Sequence, residues 1–212
     1  MKPRLRLVHL VATVVVLLPA LAPADVQEQR ARLPPPAACA DPVEGTWMSH
    51  AYYPHVGQWY IFELAIRRAP PGSGTLAGEM HALYWNGDPG DSEPPTCAPG
   101  VYRKSVHEPA VGTIDGSRIA FNGTSWRADD DFCGAPADAY NLDNFSGTID
   151  PALQEFQSVL NAPGWVDVPT VFRRVRCADS PQAPPVLPVK VAPPPIQPPG
   201  SSAGCGCGWF RP

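Results

Sequence analysis

The sequence predicts a mainly β fold, a single antiparallel up-and-down meander closing as a small β-barrel. Three observations carry this. Apolar and polar residues alternate over several short runs, as a strand with one buried face requires. Turn sequence rich in Gly, Pro, Ser and Asp separates those runs. No long segment places apolar residues at helical spacing. The alternative arrangement of such strands is a β-sandwich.

The clearest run is Trp59-Tyr60-Ile61-Phe62-Glu63-Leu64-Ala65-Ile66. One face carries Tyr60, Phe62, Leu64 and Ile66, and the other Trp59, Ile61 and Glu63. Pro70-Pro71-Gly72-Ser73-Gly74 makes the turn. The following run sets Leu76, Gly78, Met80, Ala82 and Tyr84 against Ala77, Glu79, His81, Leu83 and Trp85. Further strands are expected at 44–53, 100–106, 110–115, 118–126, 139–149, 154–160 and 169–176. Gly112-Thr113-Ile114-Asp115 and Gly147-Thr148-Ile149-Asp150 repeat a phrase that Gly45-Thr46 and Gly74-Thr75 echo. Most of this recurrence reads as a common way to begin a strand. Closure of about eight or nine strands removes the exposed edges.

The domain lies between two polar segments. Residues 1–24 read as a cleavable signal peptide: Lys2, Arg4 and Arg6 precede the apolar run Leu7–Leu21, and Ala22-Pro23-Ala24 supplies a cleavage site before Asp25. The run is shorter than the roughly 20 apolar residues of a membrane span. Residues 25–38 read as a polar and then proline-rich linker, and 39–177 as the β domain, with five of the six tryptophans. Residues 178–212 hold ten of the 29 prolines and read as an extended, disordered tail.

Charge and cysteine narrow the setting. Loss of the signal removes three cations and takes the formal charge from −4 to −7. Such a chain has no general attraction to nucleic acid or anionic membranes. Six cysteines, none in the signal, fit an oxidising, exported compartment, secreted or in the cell envelope. Cys39 with Cys177 brackets the domain, Cys97 with Cys133 lies within it, and Cys205 and Cys207 stand apart in the tail. On loop entropy alone the first bridge contributes up to roughly 5 kcal/mol and the second about 4 kcal/mol. None of the four central cysteines has zinc-thiolate spacing.

Gly45-Thr46-Trp47 opens the domain and Phe172-Arg173-Arg174 lies in its last strand. This pattern resembles the calycins, the lipocalin- and avidin-like small barrels. The resemblance implies that Trp47 packs near Arg173 or Arg174 and closes the barrel floor, with a guanidinium over the indole capping backbone carbonyls. In the tail, Ser201-Ser202-Ala203-Gly204-Cys205-Gly206-Cys207-Gly208 resembles the start of myxobacterial C-terminal sorting signals, which implies surface anchoring. The transmembrane helix and arginine cluster that follow in such signals are not in this sequence. The other reading is an exposed tail whose two cysteines pair locally or between chains.

Chemistry-bearing motifs are sparse. There is no G-x-S-x-G elbow, phosphate-binding glycine loop or H-E-x-x-H, so no cofactor and no metal is assigned. His81 and Glu79 share one strand of the second hairpin, and Glu63 falls on its neighbour. Facing inward, the two carboxylates could share acid–base work; facing outward, they are solvated. Asp129-Asp130-Asp131 reads as a solvated loop. Polar-tipped aromatic rings are the strongest pointer to binding. The ligand-binding candidates are therefore Trp59, Glu63, Glu79, His81, Tyr84 and Trp85. The first-ranked function is a non-catalytic barrel binding a small apolar or sugar-like ligand. The second is a structural or envelope-protein-contacting domain on a proline-rich stalk. The third is a hydrolase using carboxylates or histidines.

Overall fold

The alternation in the two central hairpins becomes the wall of a closed barrel. The structure, a computed structural model, describes residues 26–129, 133–134 and 139–179. The expected signal peptide, most of the expected tail with Cys205 and Cys207, and Asp130 and Asp131 lie outside the described residues. Among the described residues, a short helix, α1 (Val26–Arg32), precedes nine strands: β1 (Gly45–Tyr53), β2 (Gln58–Arg68), β3 (Thr75–Asn86), β4 (Arg103–Asp115), β5 (Arg118–Gly123), β6 (Arg127–Ala128), β7 (Asn144–Asp150), β8 (Glu155–Ala162) and β9 (Trp165–Arg176). All pairings are antiparallel, and the ring runs β1-β2-β3-β4-β5-β7-β8-β9 and back to β1. The two-residue β6 pairs with β4 at Val106 and His107, beyond the point where β5 leaves it.

The segments expected at 100–106 and 110–115 are one strand, β4, with Pro109 inside it. Pro109 falls between the part of β4 paired with β6 and the part paired with β5. A residue without an N–H is tolerated at such a break in the ladder. The Pro109 carbonyl still accepts from the Thr124 N–H at 2.9 Å.

Alternation decides what faces inward. Trp47, Phe62, Leu64, Leu76, Met80, Phe121, Phe145, Phe156 and Phe172 are fully buried in one core. Phe145 packs edge-on against Phe62 and Phe172, with centroids 5.1 and 4.8 Å apart. Where strands pinch together, glycine is required. A Cβ on Gly45, Gly74, Gly112 or Gly147 would lie 2.4, 2.9, 2.1 or 2.0 Å from a neighbouring backbone oxygen. The repeated Gly-Thr phrase therefore marks close approach between strands, beyond a preference for strand starts.

At the floor, Trp47 lies opposite Arg174 in the β1–β9 register. The Arg174 guanidinium stands over the indole, 5.2 Å from its centroid, and donates to the carbonyls of Asp41 and Glu44 and to Gln154 Oε1. Arg173 points the other way. It pairs with Glu155 at 3.0 Å and donates to the carbonyls of Arg30, Leu33 and Pro34. A cation there compensates the C-terminal end of a helix.

Residues 25–38, expected to be a linker, contain α1. Its Gln29 is buried, donating to the Pro169 carbonyl at 3.0 Å and accepting from the Val171 N–H at 2.9 Å. β1 and β9 pair only between Thr46–Met48 and Arg173–Arg176. The amide of Gln29 thus satisfies backbone groups of β9 near the incompletely paired seam. Disulfides join Cys39 to Cys177 and Cys97 to Cys133, each with Cα atoms 5.4 Å apart. Among the described residues, no helix is long and apolar enough to cross a membrane.

Candidate functional site

The phenylalanine core fills the lower barrel, and the mouth stays open as a pocket of about 230 Å³. Its rings are Tyr60 from β2, Tyr84 from β3, Tyr102 before β4, Tyr140 before β7 and Trp165 from β9. Gln58, Asn141 and Asp143 add polar groups. Tyr60 and Tyr84 stack with centroids 5.0 Å apart, and Tyr60 and Trp165 meet edge to face at 5.7 Å. Even-numbered residues of β2 and β3 face inward, which brings Tyr60 and Tyr84 here through their register pairing. Burial pushes the phenols of Tyr60 and Tyr140 up, so both remain O–H groups at neutral pH.

A carboxyl pair backs this pocket. Asp143 is buried and accepts from Tyr140 Oη at 2.6 Å, while its own N–H donates to Glu108 Oε2 at 3.2 Å. Glu108, on β4, is fully buried, and its Oε1 has no hydrogen-bond partner among the described residues. Gly123 leaves room for it, since a Cβ there would lie 1.9 Å from Glu108 Oε2. Burial first, and then mutual repulsion, push the Glu108 carboxyl up. Burial also raises Asp143, against its bonds to Glu108 and Tyr140. The pair therefore holds one proton more readily than two ordinary carboxyls would. Sequence reading missed both residues: the expected break at 107–109 hid that Glu108 shares the inward parity of Val106 and Ala110, and Asp143, within the strand expected at 139–149, lies just before β7.

Of the six sequence-derived binding candidates, Tyr84 lines the mouth pocket. The other five carry odd numbers on β2 and β3 and lie on the outer wall. Trp59 and Trp85 are nonetheless fully buried, their Nε1 groups donating to the carbonyls of Asp88 and Asp91, both at 2.9 Å. Arg32 covers Trp59, 4.7 Å from its centroid. These indoles anchor the loop after β3 and α1 to the barrel's outside. Glu79 is exposed and Glu63 half-buried.

His81 belongs to a separate outer cluster. It pairs in register with His107 of β4, the rings stacked 4.4 Å apart. Beyond β6 the chain turns so that the Asp129 N–H donates to the Ser105 carbonyl at 3.0 Å, fixing its side chain beside both histidines. Asp129 Oδ2 lies 3.0 Å from His107 Nε2 and 3.5 Å from His81 Nε2. Ser105 Oγ donates to Asp129 Oδ2 at 2.6 Å and sits 2.6 Å from His81 Nε2. Arg127 holds the other oxygen, Oδ1, at 3.1 Å. Burial, reinforced by His107, lowers the His81 pKa against the pull of Glu63 and Asp129. Burial alone would raise Asp129; the Ser105 bond, both imidazoles and Arg127 outweigh it and hold the carboxyl below its ordinary range. The Ser105 hydroxyl thus sits between the Asp129 carboxylate and the His81 ring, and whether His81 Nε2 donates to it or accepts from it depends on the imidazole tautomer.

No family model, curated protein or solved structure matches this chain.

Proposed function

We propose that this protein is an exported, non-catalytic barrel that binds one small, hydrogen-bonding, sugar-like ligand at its mouth. The observation that carries this reading is the open mouth pocket, with four tyrosines and Trp165 around Gln58, Asn141 and Asp143. Rings with polar tips offer flat apolar area together with O–H and N–H groups, which suits a molecule carrying both faces and hydroxyls. The volume, about 230 Å³, falls below the roughly 300–1,000 Å³ of sites for larger ligands. That size favours a single-ring molecule over a long acyl chain. A carboxyl at the inner end supplies an acceptor for a hydroxyl, or a partner for an amine. The two disulfides support an oxidising compartment. The arginine–tryptophan contact at the floor supports the calycin resemblance.

The test is NMR titration of the full chain with a panel of neutral monosaccharides, amino sugars and a medium-chain fatty acid. Saturable shifts confined to Tyr60, Tyr84, Tyr140 and Trp165, lost in Trp165→Ala, are expected with a sugar or amino sugar. Shifts with the fatty acid alone would replace the sugar-like ligand with an apolar one. No saturable shift across the panel would move the reading to a structural or partner-contacting domain.

A further inference from the structure

The outer cluster on β3, β4 and the segment after β6 has features that a hydrogen-bonded surface does not need. We propose that His81, His107 and Asp129 form a divalent transition-metal site on the barrel's outer wall, with zinc the first ion to test and a solvent-facing open position.

Three observations carry this. The first is donor type. Two imidazoles and one carboxylate suit zinc, copper or nickel, while calcium and magnesium prefer all-oxygen shells. The second is spacing. Metal–ligand bonds of about 2.0–2.1 Å at tetrahedral angles put neighbouring donor atoms about 3.3 Å apart. Asp129 Oδ2 lies 3.0 and 3.5 Å from the two Nε2 atoms. One ligand atom from each of the three side chains lies within 4.8 Å of the other two. The third is preorganisation. The histidines are cross-strand partners in a paired ladder, so the barrel wall fixes their backbone separation, and from the stacked arrangement the rings have only to turn to aim both Nε2 atoms at one ion. Arg127 holds Asp129 Oδ1, which leaves Oδ2 aimed at both rings. The three side chains are 20–34 % exposed, enough for an ion to enter and for water to complete its shell.

Ser105 takes a supporting part. When His81 Nε2 turns to an ion, its contact with Ser105 Oγ is given up. The hydroxyl keeps its bond to Asp129 Oδ2 and orients the carboxylate, as outer-shell groups do. Glu63 pairs in register with His81 from β2 and places a further negative charge beside the cluster. Arg127 opposes cation binding electrostatically, so the expected affinity is moderate.

The experiment is calorimetric titration of the unreduced full chain with Zn²⁺, after alkylating any free thiol so that Cys205 and Cys207 do not compete. Saturation at one ion per chain is expected. His107→Gln and Asp129→Asn should each weaken binding by more than about 100-fold, and Ser105→Ala by about tenfold. His55→Gln, far from the cluster, should leave the affinity unchanged. An unchanged affinity in His107→Gln, or no binding by the wild type, would overturn the proposal. A wild-type measurement guards against variants that misfold. Zn²⁺ should shift the imidazole resonances of His81 and His107 and leave those of His50 and His55 in place; the reverse pattern overturns the site.

Discussion

Arg174 and Trp47 face each other across the β1–β9 pair, guanidinium over indole, in the one stretch where those two strands meet in register. The indole Nε1 donates to the Val43 carbonyl at 2.8 Å, and Arg174 donates to the carbonyls of Asp41 and Glu44. Two buried side chains thus tie the entering segment to the strand that completes the barrel. Asp41 reinforces the same corner: its Oδ1 accepts from the Val43 and Glu44 N–H groups, and its Oδ2 meets Arg68 at 2.8 Å.

Replacing Arg174 with Met should remove those donors and leave their carbonyl partners buried and unpaired. We expect a loss of about 2–4 kcal/mol, read as a lower urea midpoint with an unchanged slope. Lys at this position should recover less than half, because a point ammonium does not reproduce the planar fork over an indole. An Arg174→Met protein as stable as wild type would show that the floor is held by packing alone.

The same corner shows how much was legible in sequence. Gly45-Thr46-Trp47 and Arg173-Arg174 pointed to it, and the structure selects Arg174 for the indole while Arg173 caps α1. The faces of β2 and β3 were readable because one side of each is almost wholly apolar. That logic could not place Trp59 and Trp85, since a buried indole outside a barrel, covered by a loop, has the same hydrophobicity as one inside it. Gln29 was invisible because nothing local distinguishes a glutamine on a charged helix from one filling a seam. The His81–His107–Asp129 cluster depends on strand pairing between residues that alternation alone does not bring together.

Gly147→Ala tests whether the Gly-Thr phrase is structural. The new methyl would meet the Gln157 carbonyl oxygen at 2.0 Å, so β7 and β8 would have to part. A cost of about 1–3 kcal/mol is expected from this overpacking. The neighbouring Thr148 is exposed, and Thr148→Ala should stay within about 0.5 kcal/mol. Equal, small effects at both positions in thermal denaturation would return the phrase to a simple preference for strand starts.

The Cys39–Cys177 bridge closes 138 residues of sequence, far more than the 36 of Cys97–Cys133. On loop entropy the longer closure should contribute more, up to about 5 kcal/mol. Cys39→Ser with Cys177→Ser should therefore lower the urea midpoint further than the Cys97/Cys133 double variant. The ends are also held by the Ala37 N–H on the Arg174 carbonyl at 2.8 Å, so the barrel should still fold. A larger loss from the Cys97/Cys133 variant would show that tethering the loop before β4 matters more than joining the ends.

The Glu108–Asp143 pair should make stability fall as pH rises. Both carboxyls are raised in the folded state, with burial the largest cause, so the folded chain holds a proton that the unfolded chain releases in the ordinary carboxylate range. The stabilisation this gives is fully present below that range and declines as pH climbs from it through neutrality toward the raised value of Glu108. Glu108→Gln should flatten the slope over that interval and raise stability at neutral pH by about 1–3 kcal/mol. The amide can donate permanently to Asp143, and its oxygen can still accept from the Asp143 N–H. Urea midpoints at pH 5 and pH 8 read the difference. His50 and His81, both lowered by burial, add stability as pH rises through the ordinary histidine range, and they do so in both proteins, so the pair is read from the difference in slope. A glutamine variant with the wild-type slope would show that water or a cation compensates the pair.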